Sequence, residues 1–195
     1  MASAAILVGD QASRFGGQDK SALVVGDRSI LERQVAALAQ VTDDVMLVGL
    51  PSRVPAGTRV VADRVPQSGP LGGLDAALAA ARDEALLLVA CDMPFVTARL
   101  FAHLLGQTAG VDAVVPRTER GYHPLCAVYT RRCHEPVMRH LRNGRLKMLD
   151  LFEELRVRVV EGEELERCGS GQVLLANVNT PGELHDLEAL LGHEQ

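Results

Sequence analysis

Two cations lie in a glycine-containing loop near the start of the chain. Arg14 and Lys20 enclose the pair Gly16-Gly17. Glycine lets backbone amides come close to a ligand, a guanidinium can bind two phosphate oxygens at once, and an ammonium adds a compact positive charge. These residue types predict a loop that wraps the phosphates of a nucleoside triphosphate. The alternative is an ordinary strand–turn–helix connection whose cations are solvated.

The loop departs from two common phosphate-binding patterns. A P-loop has Gly-Lys-Ser/Thr in direct succession, whereas Gln18 and Asp19 here separate Gly17 from Lys20. The Gly-x-Gly-x-x-Gly spacing of dinucleotide-binding folds is also missing. The sequence therefore favours neither P-loop hydrolysis of a triphosphate nor hydride transfer from a nicotinamide.

Carboxylates follow two predicted strands. Asp92 comes directly after the apolar run 86–91, and Asp63 comes directly after residues 59–62. Magnesium binds one or two carboxylates together with phosphate oxygens and waters, so Asp92 is a candidate metal ligand. Asp63 could accept hydrogen bonds from a base or from a ribose hydroxyl. The alternatives are helix capping for Asp92 and an ion pair with Arg64 or another surface cation for Asp63.

Further polar groups lie in a glycine-rich segment and near the end of the chain. Residues 69–73 open a predicted helix, whose N-terminal amides suit an anion or a carbonyl acceptor; the alternative is a plain turn. Asn177 and Asn179 alternate along an extended segment, so they face the same side. They could hold a ligand, or they could serve as turn residues ahead of the last helix.

The elements that position these residues alternate between apolar strands and amphipathic helices. Predicted strands cover 4–9, 45–49, 59–62, 85–90, 112–116, 123–129 and 156–160. Predicted helices cover 30–41, 71–81, 133–142 and 147–154, a further helix is capped by Thr97 and runs to about residue 105, and a last helix starts at Thr180. Ser29 and Glu32 predict a capping box, and the charged segment 161–172 predicts a surface excursion. Such alternation indicates a mostly parallel sheet with helices on both faces, and ligands then bind at the carboxyl ends of the strands.

Composition limits the class of protein. A chain of 195 residues with 47% hydrophobic residues fits one domain with a sizeable core. The net charge of −5 and the 3% aromatic content argue against a nucleic-acid partner. The four cysteines form no Cys-x-x-Cys pair, which argues against a zinc site. No apolar run is long enough to cross a bilayer and no leader pattern is present, so we predict a cytoplasmic protein without membrane contact.

Five motifs in the same order resemble the MobA family of nucleotidyltransferases, the molybdenum cofactor guanylyltransferases. They are the loop Leu7-Val8-Gly9-Asp10 with Arg14-Phe15-Gly16-Gly17-Gln18-Asp19-Lys20, then Gly69-Pro70-Leu71-Gly72-Gly73, Cys91-Asp92-Met93-Pro94-Phe95, His123-Pro124-Leu125 and Asn177-Val178-Asn179-Thr180-Pro181. Each motif alone is weak, but together they span nearly the whole chain.

The resemblance implies a fold and an activity. The fold is an α/β single domain over 1–195, a three-layer αβα sandwich with a mostly parallel, Rossmann-like and GT-A-like sheet. A nucleotide-binding half covers about 1–95 and an acceptor-binding half about 96–195. The implied reaction transfers GMP from GTP to the phosphate of molybdopterin or Mo-molybdopterin and releases pyrophosphate, with Mg²⁺ as the cofactor. The resemblance also implies transient contacts of the protein with other molybdenum cofactor proteins. The alternatives are a relative that uses CTP or another phosphorylated acceptor, and a nucleotide sensor without turnover.

The resemblance also assigns roles to residues. The implied catalytic residues are Arg14, Lys20 and Asp92, and Asp92 is the implied metal ligand. The implied nucleotide-binding residues are Leu7, Val8, Gly9, Lys20, Asp63, Gly72 and Asp92. The implied acceptor-binding residues are His123, Asn177 and Asn179. No general base is required of His123, because the attacking phosphate is already ionised at neutral pH, so His123 is expected either to bind the acceptor or to have a structural role.

The chain departs from the family pattern at two positions. Asp10 stands where the family has a second glycine, so its carboxylate either points away, helps to hold magnesium or weakens nucleotide binding. Val48-Gly49 stands where the family has an asparagine at the end of the second strand. One nucleotide contact made by that amide is therefore expected to be missing.

Overall fold

Strands and helices alternate along the chain largely as the apolar periodicity predicts. The computed structural model describes residues 1–8, 23–178, 180 and 182–185. The strands in these ranges are β1 Ala2–Val8, β2 Val24–Val25, β3 Arg28–Ser29, β4 Asp44–Gly49, β5 Thr58–Val61, β6 Ala85–Ala90, β7 Ala113–Thr118, β8 Gly121–Tyr122, β9 Cys126–Thr130 and β10 Val157–Val160. The helices are α1 Ile30–Leu38, α2 Gly69–Ala80, α3 Ala98–Leu105, α4 His134–Arg142, α5 Gly162–Glu166 and α6 Gly171–Leu174, with 3-10 turns at Arg131–Cys133 and Met148–Glu153.

One mixed sheet runs through both predicted halves of the chain. Its order is β10-β7-β9-β6-β1-β4-β5, and β8 pairs with β7 outside this path. The pairs β6–β1, β1–β4, β4–β5 and β10–β7 are parallel, whereas β9 is antiparallel to both of its neighbours. The mostly parallel sheet predicted from the sequence is therefore confirmed.

Each face of this sheet carries its own layer of helices. One core contains Ile6 and Leu87 from the strands, and helices α1, α3, α5 and α6 cover it. The other core contains Ala5 and Leu88, which are adjacent to Ile6 and Leu87 in the same strands. Helices α2 and α4 and the turn Met148–Glu153 cover this core. Successive strand residues point to opposite faces, so the continuous apolar strands feed both cores. The predicted three-layer sandwich is confirmed.

Local capping explains where two helices begin. The Ser29 hydroxyl accepts from the Glu32 N–H at 3.2 Å, and the Glu32 carboxylate accepts from the Ser29 N–H at 3.0 Å. The predicted capping box is thus confirmed. The Thr97 hydroxyl caps α3 by accepting from the Leu100 N–H at 3.3 Å. Helix α1 ends at Leu38, three residues earlier than predicted.

Two predictions about irregular segments were wrong. The segment 161–172 is not only a surface excursion: it folds into α5, a turn and the start of α6, and it buries Leu165 of α5 and Cys168 of the turn in the core on one face of the sheet. The many charges around these apolar residues conceal a short amphipathic pattern. The predicted strand 123–129 begins only at Cys126, because residues 123–125 form a turn closed by the Cys126 N–H, which donates to the His123 carbonyl at 3.1 Å.

A third, smaller cluster attaches the end of the described chain to the sheet edge. Val178 is fully buried and packs with Ile30, Phe95 and Val173. Phe95 belongs to the segment that follows β6, so this cluster brings residues 177 and 178 to the carboxyl end of that strand. Within the described ranges, no helix is both long enough and apolar enough to cross a membrane.

Candidate active site

The carboxyl ends of β1 and β6 lie side by side at one edge of the sheet. Leu7 pairs with Ala90 in the parallel register, and the Cys91 N–H donates to the Leu7 carbonyl at 3.2 Å. Leu7 is half-buried and Val8 is buried, so the end of β1 is largely covered by the surrounding protein. The chain leaving β1 and the chain that carries Asp92 therefore start next to each other.

Four predicted residues of the glycine loop lie outside the residues that the structure describes. They are Gly9, Asp10, Arg14 and Lys20. Val8, the last residue of β1, is the point from which their segment departs. Their predicted roles stay predictions.

Asp92 is held by the segment that carries Asn177. The Asn177 amide Nδ2 donates to Asp92 Oδ1 at 3.0 Å, and the Val178 N–H donates to the Asp92 carbonyl at 2.8 Å. Asn177 is exposed, whereas Val178 is buried. A predicted metal ligand and a predicted acceptor-binding residue thus meet at the sheet edge. Asn179 lies outside the described residues, so its predicted alternation with Asn177 is a prediction still.

The donor set at Asp92 fits a magnesium ion that is shared with phosphates. Asp92 offers hard oxygen ligands on a half-buried turn at the sheet edge. In the part of the chain that the structure describes, no group of three or more His, Cys, Asp or Glu side chains could hold a metal ion by itself. Magnesium commonly uses one or two carboxylates and completes its shell with phosphate oxygens and waters. Asp92 is suited to that arrangement.

Gln34 supports the same turn from beneath, although it belongs to none of the sequence motifs. Its side chain is fully buried, and Nε2 donates to the carbonyls of Ala90 at 2.7 Å and Met93 at 2.9 Å. A signal was present in the sequence, since Gln34 lies on α1 midway between the buried residues Ile30 and Leu38 at spacings of four. A lone amide on an apolar helix face indicates a specific buried partner.

The N-terminus of α2 packs tightly against the end of β1. A Cβ on Gly73 would lie 2.8 Å from Cδ2 of Leu7, and a Cβ on Gly72 would lie 2.7 Å from the Ser68 Cβ. Gly73 therefore allows the close approach of α2 to the strand, and Gly72 allows the chain before the helix to pack against its first turn. Ser68 gives the helix no side-chain cap, because its hydroxyl donates to the Pro66 carbonyl at 3.4 Å. The first-turn amides of α2 suit an anion or a carbonyl group.

Asp63 is exposed two residues beyond the end of β5. Its neighbour Arg64 does not depend on it for an ion pair, since Arg64 Nη1 lies 3.6 Å from the buried Asp75 carboxylate. The other oxygen of Asp75 lies 3.1 Å from Nε2 of His134 at the start of α4. This arrangement anchors Arg64, the residue that follows Asp63 in the chain, to Asp75 of α2.

His123 lies in a turn beside the end of β6. The Ala90 N–H donates to the carbonyl of Leu125 at 2.8 Å, which joins this turn to the same sheet edge. His123 Nε2 lies 2.8 Å from the Thr118 hydroxyl. Burial, and then the charge of Arg120, lower the pKa of His123 below its ordinary value. The imidazole is therefore neutral at pH 7 and acts here as a hydrogen-bonding group.

Gly49 explains one departure from the family pattern. Its φ is +113°, and a Cβ at this position would lie 2.2 Å from the Val8 carbonyl oxygen. The backbone at the end of β4 therefore excludes every side chain at residue 49, an asparagine included. An amide contact from this position requires a different backbone path.

Comparisons with known proteins point to one family. Residues 4–161 match the family described as MobA-like NTP transferase domain. The chain is 36% identical over 185 residues to a protein of Pelotomaculum thermopropionicum named "Probable molybdenum cofactor guanylyltransferase", with 94% of this chain and 90% of the relative covered. It is 33% identical over 189 residues to the molybdenum cofactor guanylyltransferase of Desulfosudis oleivorans, covering 95% and 94%.

Solved structures share the fold. The molybdopterin-guanine dinucleotide biosynthesis protein A of Archaeoglobus fulgidus superposes with a TM-score of 0.80 at 25% identity, covering 98% of this chain and 99% of that one. The 2-C-methyl-D-erythritol 4-phosphate cytidylyltransferase of Thermus thermophilus superposes with a TM-score of 0.70 at 19% identity, covering 98% and 100%. The second likeness concerns the fold alone.

Proposed function

The chain belongs to the MobA-like NTP transferase family, and on that premise we propose that it transfers GMP from GTP to the phosphate of molybdopterin or Mo-molybdopterin and releases pyrophosphate. The relatives that cover nearly its full length carry the name of this activity. The product would be the guanine dinucleotide form of the molybdenum cofactor.

The observation that carries the proposal is the contact between Asn177 and Asp92. The reaction requires the α-phosphate of the nucleotide and the acceptor phosphate to meet at one point. Asp92 follows a strand of the proposed nucleotide-binding half, about 1–95, and Asn177 belongs to the proposed acceptor-binding half, about 96–195. Their side chains are 3.0 Å apart at the carboxyl edge of the parallel strands, where ligands of such sheets bind.

We assign the nucleotide to the edge formed by the ends of β1, β5 and β6. Leu7, Val8 and Gly9 would line the backbone path, Gly72 would let the start of α2 approach the base, and Asp63 would accept from the base or the ribose. Arg14 and Lys20 would neutralise the charge that develops on the leaving pyrophosphate. Such positioning and fixed charge supply most of the catalysis when the nucleophile is already ionised.

The proposed cofactor is Mg²⁺, held by Asp92 and the phosphates of the substrate. When bound, it would withdraw charge from the α-phosphate and from the leaving group. Asn177 donates to one Asp92 oxygen and so orients the carboxylate. Asn177 is exposed at the same edge, so together with Asn179 it is also placed to bind the acceptor. His123, neutral at pH 7, would form a hydrogen bond with the acceptor substrate, either as the donor or as the hydrogen-bond acceptor.

The cysteines bear on where the reaction takes place. Cys126, Cys133 and Cys168 are thiols that form no disulfide, as is usual in a reducing compartment. We propose the cytoplasm as the compartment, and transient contacts with other proteins of molybdenum cofactor synthesis. The net charge of −5 supports a small-molecule substrate over nucleic acid.

A ligand screen followed by turnover tests the proposal. Thermal unfolding with each of the four nucleoside triphosphates and Mg²⁺ should give the largest increase in Tm with GTP, since a ligand that binds the folded state stabilises it by mass action. Pyrophosphate should then be released only when GTP and molybdopterin are both present. A preference for CTP, or GTP binding without pyrophosphate release, would refute the proposed activity in favour of a cytidylyl transferase or a nucleotide sensor, respectively.

A further inference from the structure

The turn that carries Asp92 is fixed from two sides. On the exposed side, Asn177 and Val178 donate to the side chain and the carbonyl of Asp92. On the buried side, the single amide group of Gln34 donates to the carbonyls of Ala90 and Met93, the residues that bracket the Cys91-Asp92 pair. One rigid helix thus holds both ends of the turn through one side chain.

Gln34 makes these two bonds at a cost. Its Oε1 atom is buried and has no hydrogen-bond partner among the residues that the structure describes. An unpaired buried acceptor lowers stability, and native proteins contain few of them. An amide is nevertheless suited to this position, because one Nε2 carries two N–H donors and can bind two carbonyls at once. A side chain that only packed against the core would not need them.

We infer that Gln34 is a positioning residue, whose amide fixes the 90–93 turn so that the Asp92 carboxylate meets the substrate phosphates and their metal ion. The inference rests on the proposed function for its consequence in catalysis. Its structural part, the control of Asp92 by Gln34, concerns the free protein as well. A displacement of a reactive group by about 1 Å can cost a hundredfold in rate, so loss of the two bonds should be detectable far above the effect on packing.

The test compares three variants that keep the length of the side chain. Q34M removes both donors and retains an unbranched apolar shape. Q34E retains the shape of the amide but replaces its two N–H donors with a carboxyl group, which can donate to at most one of the two carbonyls, and only when it is protonated. Q40M is the matched control, because Gln40 is exposed beyond the end of α1 and donates Nε2 to the Ala36 carbonyl of that helix at 3.2 Å.

Three measurements are made on each full-length variant. Hydrogen exchange of the Cys91 and Val178 amides in the free protein reports the turn itself. The Mg²⁺ concentration that gives half of the GTP-induced increase in Tm reports how Asp92 is presented. Pyrophosphate release gives kcat and KM. We expect Q34M to accelerate the exchange of both amides and to raise the Mg²⁺ midpoint about fivefold. It should also lower kcat about thirtyfold with little change in the KM for GTP. Q34E should change the same quantities in the same directions by larger factors. Q40M should match the parent.

Several results would overturn the inference. The inference would be wrong if the exchange rates and the Mg²⁺ midpoint of Q34M were within twofold of those of the parent. A lower Tm of Q34M with both of these readouts unchanged would also contradict it, since that pattern indicates a loss of packing alone. If the parent protein released no pyrophosphate, the proposed function would fail while amide exchange still judged the role of Gln34. If Q34M did not fold, Q34E would be measured in the same way, and exchange at Cys91 and Val178 equal to that of the parent would be decisive against it.

Discussion

The Asn177 side chain donates a hydrogen bond to Asp92 Oδ1 at 3.0 Å, although 85 residues separate the two in the chain. The contact depends on the cluster in which Val178 and Phe95 are buried together, and on the Val178 N–H, which donates to the Asp92 carbonyl. The segment 177–178 therefore completes a candidate site that the first half of the chain begins. A carboxylate that accepts an amide N–H at this geometry is oriented as well as stabilised in its charged form.

We predict that N177A lowers kcat/KM about tenfold and that N177D lowers it much further. N177A releases the Asp92 carboxylate, whereas N177D places a second carboxylate about 3 Å from it, so that one of the pair takes up a proton at neutral pH. Because Asn177 is exposed, Tm should change little in N177A. Steady-state pyrophosphate release and thermal unfolding check both statements. Equal activity of N177D and the parent would exclude the contact from catalysis.

Replacement of Asp92 should abolish both activity and the response to magnesium. In D92N the amide is a poor ligand for a hard cation, so the rate should no longer saturate with Mg²⁺. The control is D83N, which makes the same change at the opposite end of β6. A D92N enzyme with an unchanged half-saturating Mg²⁺ concentration would mean that the metal binds elsewhere.

A side chain at residue 49 should destabilise the fold. In G49A the new Cβ would meet the Val8 carbonyl at 2.2 Å, so the ends of β1 and β4 must shift, and we expect a loss of about 3 kcal/mol in the free energy of unfolding. G57A is the matched control, because Gly57 also has a positive φ, +79°, but its Cβ would meet nothing within 4 Å. It should lose about 1–2 kcal/mol. Urea unfolding that gave equal losses would disprove the clash.

Local sequence signals predicted the elements of this fold well. The capping box at Ser29, the strand 85–90 and the Thr97 cap all depend on residues near one another in the chain, and all three are confirmed. The exact ends of the helices and strands, and the burial of part of the segment 161–172, are harder to predict from the sequence. Only tertiary packing determines which side of a short charged helix becomes buried.

The contacts between distant residues at the candidate site could not be predicted from local sequence patterns. Motif order assigned Asp92 and Asn177 to the same reaction, but nothing in the local pattern indicated that one donates to the other. Gln34 lies in no motif, and its role depends on carbonyls more than 50 residues away in the chain. The loss of an asparagine contact at residues 48–49 is expected from the residue types, but the left-handed φ of Gly49, which leaves no room for a side chain there, is not revealed by side-chain comparison.

Acid should weaken an ion-pair cluster on the acceptor-side half. Glu154 accepts from Arg139 Nη2 at 2.6 Å and from Nε2 of the buried His140 at 2.9 Å, and these bonds lower the pKa of Glu154 from 4.5 to about 2. A lowered pKa means that the ionised form stabilises the fold above pH 4.5 and that this contribution disappears as the pH falls towards 2. The Tm of E154Q should therefore lie below that of the parent at pH 7, and the difference should shrink between pH 4.5 and 2.

The control for this measurement is E153Q. Glu153 is exposed and lies 3.6 Å from Arg145, so its ion pair should contribute little at any pH. A Tm difference for E154Q that stayed constant from pH 7 to pH 2 would assign the effect of the substitution to something other than the charge of Glu154.

The last prediction concerns Asp10, which lies outside the described residues and departs from the family pattern. If its carboxylate faces the triphosphate, two like charges about 4 Å apart repel by roughly 4 kcal/mol near a surface before relaxation and screening. Rotation of the side chain and bound magnesium would remove much of that, so we expect D10N to bind GTP about tenfold more tightly at low salt, with a smaller gain as salt rises. D10N changes the charge alone, whereas D10G would also open the loop. Titration calorimetry with and without Mg²⁺ separates the possibilities. Weaker binding of D10N only when Mg²⁺ is present would identify Asp10 as a second metal ligand, and unchanged binding in both conditions would mean that its side chain points to solvent and that the sensor alternative loses its main support.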